Sequence, residues 1–182
     1  MSKKNLTWLW LSERPENHPD IVNSVKEAGI DYEIFSHVSH FTEKLLEIKQ
    51  DKNKNFQDYG LISSVRLTGQ AMIMSPKELN GVEDSYFKTN MGYDAGFVFY
   101  RNLILGNPEE KAPSIWTPNA LPPTVFLSIL GEESMFVKQY MKEIKRDWAK
   151  LNNSAPDEAK VKFIRKWDYD PELSETLKSW SK

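Results

Sequence analysis

Apolar residues recur along the chain at spacings that switch between those of a buried strand and those of an amphipathic helix. Residues 6–12, "LTWLWLS", are almost continuously apolar, as a central strand covered on both faces requires. Pro15 to Asp20 form a turn and cap. A short helix follows, with Ile21, Val22, Val25 and Ala28 on one side and Gly29 at its end. "DYEIFS" (31–36) predicts a second strand, and "HVSHFTEKLLEIKQDKN" a second helix that buries Phe41, Leu45, Leu46 and Ile48. "DYGLISSVRL" (58–67) predicts a third strand. After an irregular stretch, "YDAGFVFYRNLIL" predicts a third helix and "PPTVFLSIL" (122–130) a fourth strand. In residues 132–151, Val137, Tyr140, Met141, Ile144, Trp148 and Leu151 fall at helical spacing above a charged face. "KVKFIRKWD" (160–168) and "DPELSETLKSW" close the series as a fifth strand and fifth helix.

Strict alternation of strand and helix argues for an α/β fold with a parallel sheet covered on both faces. We expect one domain over residues 1–182, a three-layer flavodoxin-like fold with strand order 2-1-3-4-5. Residues 68–92 break the rhythm and read as an insertion or elaborated loop after the third strand. That is the edge at which open α/β sheets bind ligands.

Composition narrows the chemistry. The 182 residues suffice for a core without staples. No cysteine is present, which removes disulfides, thiolate catalysis and Cys-built zinc sites. A net charge of −2 gives no overall field that attracts nucleic acid or an anionic membrane. "LTWLWL" is too short for a membrane span or a signal-peptide core, so a cytoplasmic location is expected.

The order and spacing of five segments resemble the receiver domains of response regulators. They are "LWLSERPENH", "DYGLISSVRL", "MGYDAGFVFYRNL", "PPTVFLSIL" and "VKFIRKWDYDPELSETL". The resemblance implies a phospho-accepting carboxylate at the end of the third strand and acidic Mg²⁺ ligands after the first. It further implies a switch Ser or Thr after the fourth strand and a Lys after the fifth. Mg²⁺ needs hard oxygen ligands to bring an acceptor and a phosphoryl group together. Here Ser12 stands where a carboxylate is expected and only Glu13 remains. Ser64 or, without a gap, Val65 aligns on the acceptor, while Ser128 and Lys166 match the switch and the lysine. A serine forms no acyl phosphate, so aspartyl phosphorylation and Mg²⁺ are not expected.

The resemblance thus implies a degenerate, pseudo-receiver scaffold. The function expected first is a non-catalytic signalling or regulatory interaction module with a protein partner. Its surfaces would be the 68–92 insertion, the 106–122 loop, and the face of the fourth helix and fifth strand. Homodimer pairing through the fourth and fifth helices would follow the family. The alternative is a small-ligand- or nucleotide-linked enzyme using the edge cleft, with Glu13, Ser64, Ser128 and Lys166 around it. The first is favoured because no general base–nucleophile pair has a recognisable spacing.

Other candidates weigh less. His37 and His40, with Glu43, sit at metal-pair spacing, but a third and fourth ligand are not evident, which favours an exposed helix start. Lys166 either pairs an anion in the cleft or ties to Glu13. Trp8 and Trp10 share one strand face and read as core. Trp116 in a proline-rich loop, and Tyr140 on the long helix, are candidate partner anchors. Phosphate-loop, serine-elbow and zinc-protease signatures are not in the sequence.

Overall fold

A computed structural model describes residues 5–68, 70–80, 84–106, 121–128, 134–165 and 171–181. Strands β1 (Thr7–Leu11), β2 (Asp31–Phe35), β3 (Tyr59–Ser64), β6 (Thr124–Ser128) and β7 (Val161–Arg165) form one parallel sheet in the order β2-β1-β3-β6-β7. Counting only the strands of this sheet, that is the expected 2-1-3-4-5. A second, antiparallel pair, β4 (Met72–Ser75) and β5 (Ser85–Lys88), lies within the expected insertion. The stretch read as an elaborated loop is therefore partly a two-stranded ribbon.

The two faces of the sheet bury different residues because side chains alternate along a strand. One face carries Leu9, Leu11, Leu61, Val65 and Phe126 against helix α2 (Val38–Gln50), helix α4 (Ala95–Phe99) and helix α5 (Met135–Asn152). The other carries Trp8, Trp10, Ile62, Val125 and Ile164 against helix α1 (Pro19–Glu27) and helix α6 (Pro171–Trp180). Short helix α3 (Lys77–Asn80) lies after β4. This is the three-layer arrangement expected of a flavodoxin-like fold.

Local signals place the element ends. Pro19 opens α1, where its missing N–H costs nothing, and Gly29 follows it in the left-handed region at φ 64°. The residue at the helix start is His18, not Asp20, which lies inside the first turn. The segment expected as one helix over 93–105 divides: α4 gives way to a π-helical turn at Tyr100–Ile104, where Leu105 N–H bonds back to the Tyr100 carbonyl. On α5, Val137, Ile144 and Trp148 are buried, and Tyr140, Met141 and Leu151 pack at the margin, as the spacing indicates.

Trp8 is fully buried and sits level with Gly60 in the β1–β3 ladder. A β-carbon at Gly60 would stand 2.8 Å from two carbons of the Trp8 ring. Overpacking of this kind costs about 2 kcal/mol. Gly60→Ala is expected to lower stability by about that amount, and by clearly less in a Trp8→Leu background. Urea unfolding of the four proteins of this double-mutant cycle checks it; equal costs in both backgrounds would rule the contact out as the cause.

Candidate functional site

The carboxyl ends of β1, β3 and β6 converge on a cleft of about 440 Å³. Ser12, Ser64 and Ser128 line it, one from each strand end, with Leu127 between them. All three serines are buried, and Ser64 Oγ donates to Ser12 Oγ at 3.3 Å. Glu13, Arg14, Asn17 and His18 line it from the turn that leads into α1, and Arg66 and Thr68 from the chain leaving β3. Three of the sequence-derived site residues, Ser12, Ser64 and Ser128, are thus brought together, with Glu13 beside them. Lys166 and Trp116 lie outside the described residues.

Alternation separates the two residues that align on the acceptor. Ser64 and Arg66 face the cleft, while Val65 between them is 1% exposed within the core. Of the two, Ser64 is the one that lines the cleft. The chain after β3 is held closely. Val65 N–H donates to the Leu127 carbonyl, and Gly96 N–H to the Val65 carbonyl, both at 2.9 Å. A β-carbon at Gly96 would come within 2.1 Å of the Ser64 carbonyl oxygen, so the start of α4 packs backbone to backbone against the end of β3.

Arg66 and Arg14 are the cationic residues that sequence reasoning missed. Arg66 is exposed, and its guanidinium stands 4.6 Å from the centre of the Tyr93 ring. A signal was present: Arg66 is two residues past Ser64, hence on the same side of an extended chain. Among the described lining residues are two arginines, Arg14 and Arg66, and one carboxylate, Glu13.

His37 and His40 are exposed, with ring centres 5.7 Å apart and edge to face. Among the described residues no group of three or more His, Cys, Asp or Glu side chains is placed to hold a metal ion. None of the described helices is long and apolar enough to cross a membrane.

Tyr140 lies away from the cleft. Its hydroxyl donates to Asp94 Oδ2 at 2.9 Å, and its ring stacks on Phe97 at 4.9 Å. Asp94, buried at the start of α4, also accepts from Asn90 N–H at 2.7 Å. Tyr140 with Arg101 and Asn102 of the π-helical turn and Tyr86, Phe87 and Lys88 of the ribbon lines a second cavity of about 440 Å³. Arg101 is bound to Glu143 at 2.7 Å, which joins the π turn to α5. Tyr140 therefore serves first as a tie between α5 and the start of α4.

Burial, aided by the Asp94 carboxylate, pushes the Tyr140 phenol up to about 12, and burial pushes Tyr100 upward as well. A folded-state value above the unfolded one means that the folded state holds the proton more tightly. The stabilisation is complete below pH 10 and is lost as pH rises toward 12. Urea midpoints measured from pH 9 to 11.5 should fall with pH, and the fall should be smaller in Tyr140→Phe. An identical slope in that variant would show that the phenol is not responsible.

Compared with protein families, curated proteins and solved structures, the chain matches none, so its function is read from its own surfaces.

Proposed function

We propose that the protein is a non-catalytic regulatory module on a receiver-like scaffold, which works by binding an acidic amphipathic segment of a protein partner. The observation that carries this reading is a groove of about 740 Å³ between α5 and the edge strand β7. Val137, Met141, Val161 and Phe163 form its floor, and Lys138, Lys142, Lys145 and Lys162 stand around it. Lys138, Lys142 and Lys145 recur at i, i+4 and i+7, so one face of α5 carries all three. Lys162 is drawn toward α6 by Glu172 and by Thr176 Oγ1 at 3.2 Å, which leaves the helix lysines to set the charge of the opening. An apolar floor with a cationic rim suits a segment that is apolar on one side and acidic on the other. Among the described residues β7 pairs with β6 alone, so its outer edge can take an extended segment.

Two features of the cleft support the non-catalytic half. Ser64 at the acceptor position forms no acyl phosphate. Among the described lining residues Glu13 is the one acidic ligand for Mg²⁺, where octahedral coordination with phosphoryl transfer uses more. A backbone NMR titration should therefore show no saturable shifts at Glu13 and Ser64 up to low-millimolar Mg²⁺; saturation there would count against this reading.

The groove is tested by capture of partners from native cells with tagged protein, read by mass spectrometry. The expected result is one stoichiometric partner, lost in Lys138→Glu/Lys142→Glu, retained in the distant Lys26→Glu, and released by raising salt. Each variant is first shown to melt like the wild type. A partner retained by the groove variant would place the interface elsewhere and overturn the assignment.

A further inference from the structure

We infer that the cleft at the carboxyl ends of β1, β3 and β6 is a binding site for a small phosphate monoester. This goes beyond the partner-binding reading, since the groove and the cleft share no lining residue. The volume of about 440 Å³ is within the range of small-ligand sites. The location is where ligands meet open parallel sheets, outside the carboxyl ends of the central strands.

The lining decides the class of ligand. Arg14 and Arg66 line the cleft from different segments, one after β1 and one after β3, so two guanidinium side chains are within reach of an anion bound there. Guanidinium is the side chain best matched to phosphate oxygens, by charge and by its fork of donors. Among the described lining residues Glu13 is the one carboxylate that opposes them. The floor supplies hydroxyls. The Ser12 and Ser64 hydroxyls lie 3.3 Å apart, and a hydroxyl both accepts and donates, so the pair can meet a ligand oxygen. Ser12 is 3% exposed, which places its hydroxyl where water competes least. Asn17 and His18 lead directly into the nine-residue helix α1, whose N-terminal dipole adds to the same potential.

The ring beneath Arg66 assists. Tyr93 holds that guanidinium at 4.6 Å, so less side-chain freedom is lost when an anion binds. Thr68 and Asn17 extend the polar wall beyond the arginines and suit the hydroxyl groups of a sugar phosphate. Among the described lining residues only His18 carries a ring, which gives a nucleobase little to stack upon.

The test is a ¹H–¹⁵N NMR titration of the full chain with inorganic phosphate and with ribose 5-phosphate, against sodium chloride at matched ionic strength. Saturable shifts at Ser12, Glu13, Ser64 and Arg66, absent with chloride, are expected. Ribose 5-phosphate should bind more tightly than phosphate. Arg66→Ala should weaken binding about tenfold, and Arg14→Ala/Arg66→Ala should abolish it, in proteins that melt like the wild type. Both side chains are exposed, so their removal leaves the core intact. Binding should be unchanged in the groove variant Lys138→Glu/Lys142→Glu, which separates this site from the partner surface. Shifts that fail to saturate, that chloride reproduces, or that survive in the double arginine variant would overturn the inference. Ribose 5-phosphate binding no tighter than phosphate would overturn the assignment to a phosphate ester.

Discussion

The Trp8 indole fills the space that any side chain at position 60 would need, and the register of the central sheet depends on that fit. Trp8 and Gly60 are direct neighbours in the β1–β3 ladder. A slip of one residue would bring Tyr59 or Leu61 under the ring and turn the apolar set of β3 to the wrong face. The indole N–H donates to Ser181 Oγ at 2.8 Å, and Ser181 Oγ donates to the Leu177 carbonyl at 2.7 Å. One side chain thereby joins β1, β3 and the end of α6. The consequence at the other end of the strands is geometric. With Leu11 level with Ser63, Ser12 arrives level with Ser64, and Ser64 with Leu127 sets Ser128 one step beyond. Ser12 and Ser64 meet at the cleft because a tryptophan several residues away fixes the pairing, and Ser128 lines it from the end of β6.

Charge is distributed locally in a way that the total conceals. The net value of −2 says only that acids slightly outnumber bases over the chain. The structure pairs many acids with neighbours: Glu143 and Asp147 with Arg101, Glu33 with Lys44, and Glu172 with Lys162. Such exposed and half-exposed pairs contribute little to stability. Their effect on potential is larger, since each pair cancels a charge that would otherwise act at a distance. Lysines on the groove side of α5 and arginines at the cleft then dominate their own surroundings.

The main sheet was legible in the sequence because a strand buried on both faces must be a run of apolar residues, and "TWLWL" is one. The long helix was legible for the opposite reason, its single buried stripe. The ribbon was not. Met72 and Met74 are 53% and 45% exposed while Ile73 between them is buried, so apolar residues occupy both faces and no alternation of polarity marks the strand. The π-helical turn was hidden too, since the shift of one hydrogen bond that lets Arg101 and Asn102 face the second cavity leaves no trace in residue spacing. At the cleft, Ser12, Glu13, Ser64 and Ser128 stand out only through the resemblance to receiver domains. Arg14 and Arg66 were passed over because a basic residue in a turn looks like any solvated one until the turn is folded over the sheet.

Those two arginines change the sign of the site. Carboxylates at positions 12 and 64, added to Glu13, would make three negative charges against two guanidinium groups and favour a cation. Serine at both positions removes two of them. At an effective dielectric near 20, a unit charge ~4 Å away is worth ~4 kcal/mol. Two such losses outweigh the single carboxylate that is left. The hydroxyls cost far less to bury than carboxylates would, and they donate as well as accept. In this sequence the strand ends form a polar floor in a cleft that two arginines also line. Shape and charge are therefore separate properties of the cleft: the strand register sets the first, and four side chains within it, Ser12, Ser64, Arg14 and Arg66, set the second.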